Sequence, residues 1–224
     1  MIAILQGRLG SSRLPAKGFL TFFDKVIWER VFLIVKNIPE VDSVIFVTGN
    51  NKENLVVKKF VERFNIKFYV GDEHNVLSRF QDVAKTIKSD YFLRLTCDNY
   101  LIQPEVIENL FKLMKSESSD YAYVEPLSHF SGEIVKTSFF NNYYKDSLPS
   151  EYAIEHVTWD IRNDLSVKKT IANSDFLGIN HNEGITLDTL DDFVMMKKLE
   201  NKFPKLKQLR CLEEIKRIQK LGPE

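Results

Sequence analysis

Near the start of the chain, Arg8, Arg13 and Lys17 bring three cations into the stretch Gln6-Gly7-Arg8-Leu9-Gly10-Ser11-Ser12-Arg13-Leu14-Pro15-Ala16-Lys17. Gly7 and Gly10 permit backbone conformations in which successive N–H groups converge on an anion. Ser11 and Ser12 add hydroxyl donors. Charge-assisted hydrogen bonds are the strong ones, and an arginine can grip two oxygens at once, so this set suits a polyphosphate. The alternative is a solvated basic turn. Position favours phosphate, because the apolar run at 2–5 reads as a buried strand and the loop follows it directly. The spacing matches neither a Walker loop nor the Gly-x-Gly-x-x-Gly dinucleotide fingerprint.

Two aspartates end apolar runs elsewhere. Asp98 follows 91–96 and Asp188 follows 184–187. Carboxylates at two strand ends beside a phosphate loop suit Mg²⁺, which takes one or two protein oxygens and completes its shell with phosphate and water. Asp188 has a second reading as the N-cap of a helix beginning at Leu190, and Asp191 and Asp192 also suit a helix start. Arg79 lies with Asp72 and Asn75 near another helix opening, where anions are favoured. Its alternative is an ion pair with Asp82 or Glu73. Glu155 and His156 are candidates for acid–base work or acceptor binding, although the pair lacks the two-histidine zincin spacing; a buried histidine bonded to a backbone carbonyl is the other outcome. His74, His129 and His181 belong to no constellation. Tyr143 and Tyr144 read as packing or subunit contacts.

Positioning these groups falls to an alternation of strands and helices. Residues 2–5, 43–48, 67–70 and 91–96 read as strands, and 26–37, 54–64 and 75–87 carry apolar residues at helical spacing. This predicts an α/β fold with a mostly parallel sheet, helices on both faces and ligands at the carboxyl edge of the strands. Pro104 opens a helix continuing through 105–114. Beyond about 119 the alternation weakens. Short strands at 121–124, 133–136 and 167–171, with an aromatic stretch (Phe139, Phe140, Tyr143, Tyr144) between the last two, read as a small β insertion over about 119–172. A final strand at 184–187 and helices at 190–203 and 209–221 complete one domain spanning 1–224.

The totals narrow the function classes. A chain of 224 residues, 44% hydrophobic, buries one sizeable core. Its 31 basic and 31 acidic side chains balance, which argues against nucleic acid as a partner. Cys97 and Cys211 are far apart, which argues against a disulfide framework or zinc knuckle and fits a reducing compartment. The apolar run before Gln6 is too short for a signal peptide or a membrane span. A cytoplasmic protein with no membrane partner is expected.

The loop at 6–17 resembles the cytidylyltransferase family that includes CMP-sialic acid and CMP-KDO synthetases. It is most similar to the spore coat polysaccharide biosynthesis protein F type, whose Gln-Ala-Arg-x-Gly-Ser-Ser-Arg-Leu-Pro-x-Lys pattern it matches except at Gly7. Four further segments are similar in order: Gly71-Asp72-Glu73 with Asn75-Val76-Leu77-Ser78-Arg79-Phe80, Arg94-Leu95-Thr96-Cys97-Asp98, Glu155-His156-Val157-Thr158, and Thr186-Leu187-Asp188-Thr189-Leu190-Asp191-Asp192. The resemblance implies a Rossmann-like (GT-A-like) nucleotidyltransferase fold that binds CTP and Mg²⁺. It implies transfer of CMP to a sugar acid, sugar phosphate or similar acceptor with release of pyrophosphate, in surface polysaccharide or glycoconjugate precursor synthesis.

Carried over, Arg8, Arg13 and Lys17 would hold the triphosphate, with Gln6, Gly7, Gly10, Ser11, Ser12 and Arg79 also on the nucleotide. Asp98 and Asp188 would hold the metal, and Glu155 and His156 would face the acceptor. The insertion would support a homodimer. The chain departs from the pattern at Cys97-Asp98-Asn99-Tyr100-Leu101, where the family has Gly-Asp-Cys-Pro-Leu, and at Gly49-Asn50-Asn51-Lys52. Two rivals remain: a glycosyltransferase of the same sheet type, whose Asp-x-Asp motif Asp98-Asn99-Tyr100 lacks, and an inactive nucleotide-binding relative.

Overall fold

Near-continuous apolar runs, buried on both faces, assemble among the described residues into one seven-stranded sheet. The computed structural model describes residues 1–126, 128–145, 148–173 and 186–221. Along the chain these hold β1 (Ile2–Gln6), β2 (Thr21–Phe22), β3 (Lys25–Val26), α1 (Ile27–Lys36), β4 (Ser43–Gly49), α2 (Lys52–Leu55), α3 (Lys58–Glu62), β5 (Lys67–Gly71) and α4 (Val76–Thr86). There follow β6 (Tyr91–Thr96), α5 (Pro104–Glu117), β7 (Tyr121–Glu125), α6 (Ser128–Ser131), β8 (Glu133–Lys136), α7 (Thr137–Tyr143), α8 (Glu151–His156), α9 (Trp159–Asn163), β9 (Lys169–Asn173), α10 (Leu190–Lys202) and α11 (Leu212–Leu221).

Strands β5, β4, β1 and β6 pair in parallel. The chain moves outward from β1 to β5 and then crosses back to β6, so the direction of travel reverses between β1 and β6. Right-handed crossovers place helices on opposite faces when the direction reverses, and ligands collect at such a switch point. The packing follows this rule. Ala3 and Leu5 of β1 face a core built with α1, α3, α5, α10 and α11. Ile4 between them faces a second core with α4, α7, α8 and α9. Each fully buried Leu, Ile or Phe on these faces contributes about 1.5–3 kcal/mol.

The three strands expected in the second half are present, and they extend the main sheet. β8 runs antiparallel to both β6 and β7, and β9 returns parallel to β7 at the edge. The sheet is therefore mostly parallel with one reversed strand.

Several elements differ from the sequence reading. The helix expected at 54–64 is two short helices, α2 and α3, separated at the β-branched pair Val56-Val57. Asn54 is drawn into tertiary hydrogen bonds with Leu9, Gly49 and Glu73. The hairpin β2–β3 was not legible; its turn places Phe23 at φ 56°. The aromatic stretch at 139–144 forms the end of α7 and its C-cap, Tyr144, and Phe140 is buried beside Phe92 and Tyr144. The expected last strand begins outside the described residues, as does His181, and its described part, Thr186 and Leu187, is not in a strand. Among the described residues, no helix is long and apolar enough to cross a membrane.

Candidate active site

The loop after β1 turns on hydrogen bonds of its own: Ser11 and Ala16 N–H groups both donate to Leu9 O at 2.9 Å. Leu9 N–H is anchored 2.9 Å from Asn54 Oδ1. Ala16 then takes a left-handed conformation, φ 53°, and releases Lys17 into a short 3-10 turn over the sheet edge. The backbone N–H groups of Ser12 and Arg13 have no hydrogen-bond partner among the described residues, and both residues line the adjoining cleft.

Trp28 of α1 forms part of the floor beneath this loop. A Cβ on Gly7 would stand 3.0 Å from the indole and 2.8 Å from the Phe46 ring. On Gly18 it would stand 1.9 Å from Trp28 Nε1. The glycine at position 7, where the resembled pattern has alanine, thus goes with the large rings under it. Gly10 is exposed, with open space where a Cβ would project, and it does not line the cleft.

Every other candidate from the sequence meets in one open cleft of about 390 Å³: Gln6, Gly7, Arg8, Ser11, Ser12, Arg13, Lys17, Arg79, Asp98, Glu155, His156 and Asp188 all line it. That volume is within the range of small-molecule sites. Asp98 stands just past the end of β6, on a turn fixed to β1 by Cys97 N–H donating to Gln6 O at 2.9 Å. Asp188 arrives from the approach to α10. The helix cap there is Thr189, in a reciprocal capping box with Asp192. The Asp192 carboxylate also accepts from Asp188 N–H at 2.9 Å, which fixes the backbone and leaves the Asp188 side chain for the cleft. The cap reading of Asp188 is thereby replaced.

Lys17 Nζ lies 2.5 Å from Asp98 Oδ2 and 2.8 Å from Asp188 Oδ1, and Arg13 reaches the same Asp188 oxygen at 3.1 Å. Burial alone would lower the Lys17 pKa, but the two aspartates outweigh it and raise it. Two carboxylate oxygens converge on one cationic atom, so the pair fits a metal ion as well as an ammonium. No group of three or more acidic, histidine or cysteine side chains among the described residues forms a metal cage.

Arg79 forms neither of its expected ion pairs. Asp82 bonds the Tyr69 hydroxyl and Glu73 bonds Asn54. Arg79 is 1% exposed, and Nε and both terminal nitrogens are without a hydrogen-bond partner. Burial depresses its pKa, an effect that Glu73 partly offsets. Gln6 Oε1 and Arg94 Nε are also buried without partners, and both residues line the cleft. Native proteins satisfy nearly all buried polar groups, so exceptions gathered around one cavity mark where a ligand supplies the missing bonds.

Arg8 faces Glu155 at 3.9 Å. His156 is exposed at the end of α8, rather than buried on a carbonyl. The next residue, Val157, has φ 50°, a strained conformation for a β-branched side chain, and its carbonyl is held by the Tyr144 hydroxyl at 2.8 Å.

One group of residues escaped the sequence reading. Arg94 is shared by the main cleft and two annexes. One annex, about 220 Å³, lies against His156, Trp159 and Arg162; the other, about 250 Å³, lies against Asn99 and His129. Register pairs Arg94 with Glu133 across β6 and β8. Glu133 accepts hydrogen bonds from Arg94, from Arg162 at 2.8 Å, from Tyr121 at 2.5 Å and from Thr158 at 2.8 Å. Burial would raise the Glu133 pKa, but Arg94, Arg162 and the hydroxyls pull it below the usual value. A charged residue in the middle of an apolar strand pairing was the available signal. Tyr100, at the departure from the family turn, is buried against Phe22 and gives its carbonyl to Arg30, so it is a core residue. Asn99 beside it lines an annex.

Comparison with known proteins places the whole chain in a family. A cytidylyltransferase family profile matches residues 2–221. The spore coat polysaccharide biosynthesis protein SpsF of Bacillus subtilis is 26% identical over 212 residues, 90% of this chain and 87% of that one. A cytidylyltransferase structure from Leptospira borgpetersenii superposes with a TM-score of 0.75 at 19% identity, covering 92% of this chain and 95% of that one. The structure of a CMP:2-keto-3-deoxy-manno-octonic acid synthetase complexed with CTP superposes with a TM-score of 0.67 at 14% identity, covering 90% and 98%. The profile spans nearly the whole chain and the superpositions share its fold, and the chain belongs to the cytidylyltransferase family.

Proposed function

We propose that the cleft binds CTP with Mg²⁺ and transfers CMP to a sugar acid, sugar phosphate or related acceptor, releasing pyrophosphate. The observation that carries this reading is the meeting of a triply basic loop with two aspartates in one cleft, through Lys17. Arg8, Arg13 and Lys17 grip the phosphates, aided by the loop N–H groups and the Ser11 and Ser12 hydroxyls. Asp98 and Asp188 would hold a magnesium ion, which when bound would supply positive charge against the phosphates. Arg79 and Gln6 supply a buried donor set and a buried acceptor that match the carbonyl and amino groups of cytosine. Fixed charges aimed at the phosphates account for most of the rate, as positioning and electrostatics dominate phosphoryl transfer.

The acceptor enters beside Glu155 and His156, toward the annexes that meet at Arg94. Two guanidinium groups share the single Glu133 carboxylate there, and the surplus positive charge suits an anionic acceptor. The names of the Bacillus relative and of the CTP-bound synthetase support a role in surface polysaccharide or glycoconjugate precursor synthesis. The use of CTP fits a cytoplasmic enzyme. A homodimer through the 119–172 region is supported by the exposed Leu148, Tyr152, Trp159, Leu165 and Ile171 and by β9 at the sheet edge; light scattering on the purified chain tests it. The reaction is tested by pyrophosphate release across a panel of sugar acids and sugar phosphates. Release that requires CTP, a divalent cation and one acceptor is expected; release from CTP that no acceptor accelerates would contradict transfer.

A further inference from the structure

We propose that Lys17 plugs the metal position of the nucleotide-free enzyme, so that the divalent cation enters only together with the triphosphate. This rests on the cleft being a nucleotide–metal site, and it concerns the order in which that site fills. The Lys17 ammonium stands between Asp98 and Asp188, bonded to both, and Arg13 adds a second cation on Asp188. Two cations thus balance two carboxylates. A metal ion arriving alone must break both Lys17 bonds, and it finds only two protein ligands, with no third acidic, histidine or cysteine side chain among the described residues. Magnesium and manganese prefer octahedral surroundings and give up water reluctantly, so two carboxylates already in use make a weak site.

A triphosphate changes the exchange on both sides. Its oxygens offer Lys17 and Arg13 new partners and offer the metal the ligands that the protein lacks. Lys17 has four carbons between its fixed backbone and its charge, so only the side chain need swing while the loop, anchored by Leu9 and Asn54, stays in place. The aspartates keep a cation throughout, first the ammonium and then the metal. By linkage, nucleotide and metal each raise the affinity of the other by the same factor.

The test is a manganese titration of the full chain without nucleotide, read by the electron paramagnetic resonance signal of free Mn²⁺. Wild type is expected to bind Mn²⁺ at millimolar strength or weaker. Lys17→Met and Lys17→Gln are expected to bind it at least tenfold more tightly, with the gain abolished by adding Asp98→Asn. Circular dichroism confirms that each variant is folded, and the two replacements guard against loss of one. Equal affinity in wild type and the Lys17 variants, or tight Mn²⁺ binding by wild type alone, overturns the proposal. A separate thermal-shift titration with CTP and Mg²⁺ tests the underlying reading. Its failure would leave the nucleotide-free comparison readable, so the two ideas fail independently.

Discussion

Lys17 Nζ and Asp98 Oδ2 lie 2.5 Å apart, joining the loop after β1 to the turn after β6 across a switch point of the sheet. The strands that carry them are hydrogen-bonded neighbours. Their separation in sequence is large, yet their separation in space is fixed by the core. A basic loop and an acidic turn on adjacent parallel strands must share one carboxyl edge, which gives the cleft its combination of cationic and carboxylate side chains.

Asp98→Asn is expected to lower kcat by ~2–4 orders of magnitude, as removal of one fixed electrostatic group at a reacting centre does. Steady-state kinetics with a saturating acceptor measures it. Near-normal turnover of a folded variant would remove Asp98 from the metal site. Arg13→Ala should raise the KM for nucleotide and also slow turnover.

Arg79→Met separates binding from stability. The guanidinium is buried with no hydrogen-bond partner, so its replacement by an apolar side chain of similar length should stabilise the nucleotide-free protein by ~1–3 kcal/mol in urea unfolding. The same variant should lose at least tenfold in CTP affinity. A destabilised variant with unchanged affinity would mean that Arg79 is a structural residue.

The glycines of the loop should rank by what lies opposite them. Gly10→Ala should be nearly neutral. Gly18→Ala places a methyl on Trp28 and should cost ~1–3 kcal/mol or more. Gly7→Ala should be destabilising alone and less so alongside Phe46→Leu, which removes the ring nearest that methyl, giving a clear coupling in a double-mutant cycle. Simple additivity would show that the Phe46 ring is not the reason position 7 holds glycine.

Acid should weaken the fold partly through His129. Burial pushes its pKa down to about 4 from 6.5, so the unfolded chain takes up a proton in this window that the folded chain refuses. Stability therefore falls as pH drops from about 6.5 toward 4, by ~3 kcal/mol from this group. Glu133, whose folded pKa is depressed, adds a loss in the same direction below its ordinary value of 4.5, as pH falls through its folded pKa. His129→Gln should flatten urea-determined stability across the upper window. An unchanged slope would contradict a neutral buried His129.

Much of this was legible because local signals and tertiary placement agreed. The apolar runs before Gln6 and Asp98 became paired parallel strands, and the loop at 6–17 landed on the edge that its charges require. The Asp188 side chain was ambiguous in sequence because a strand end and a helix start coincide there; only the Thr189 capping box resolved it. The Arg94–Glu133–Arg162 network was not readable, since it depends on β8 entering the sheet reversed and on α9 packing beside it. Trp28 looked like one more apolar residue of a helix, and its place under Gly7 and Gly18 comes from the loop folding back over α1.

The most direct test of the central claim is isothermal titration of the full chain with CTP, UTP, GTP and ATP in the presence of Mg²⁺. CTP should bind most tightly, and Arg79→Met and the combined Arg13→Ala and Lys17→Ala replacement should each weaken it. Absence of binding by every triphosphate, or CTP binding that all of these replacements leave unchanged, would contradict the assignment of this cleft to CTP.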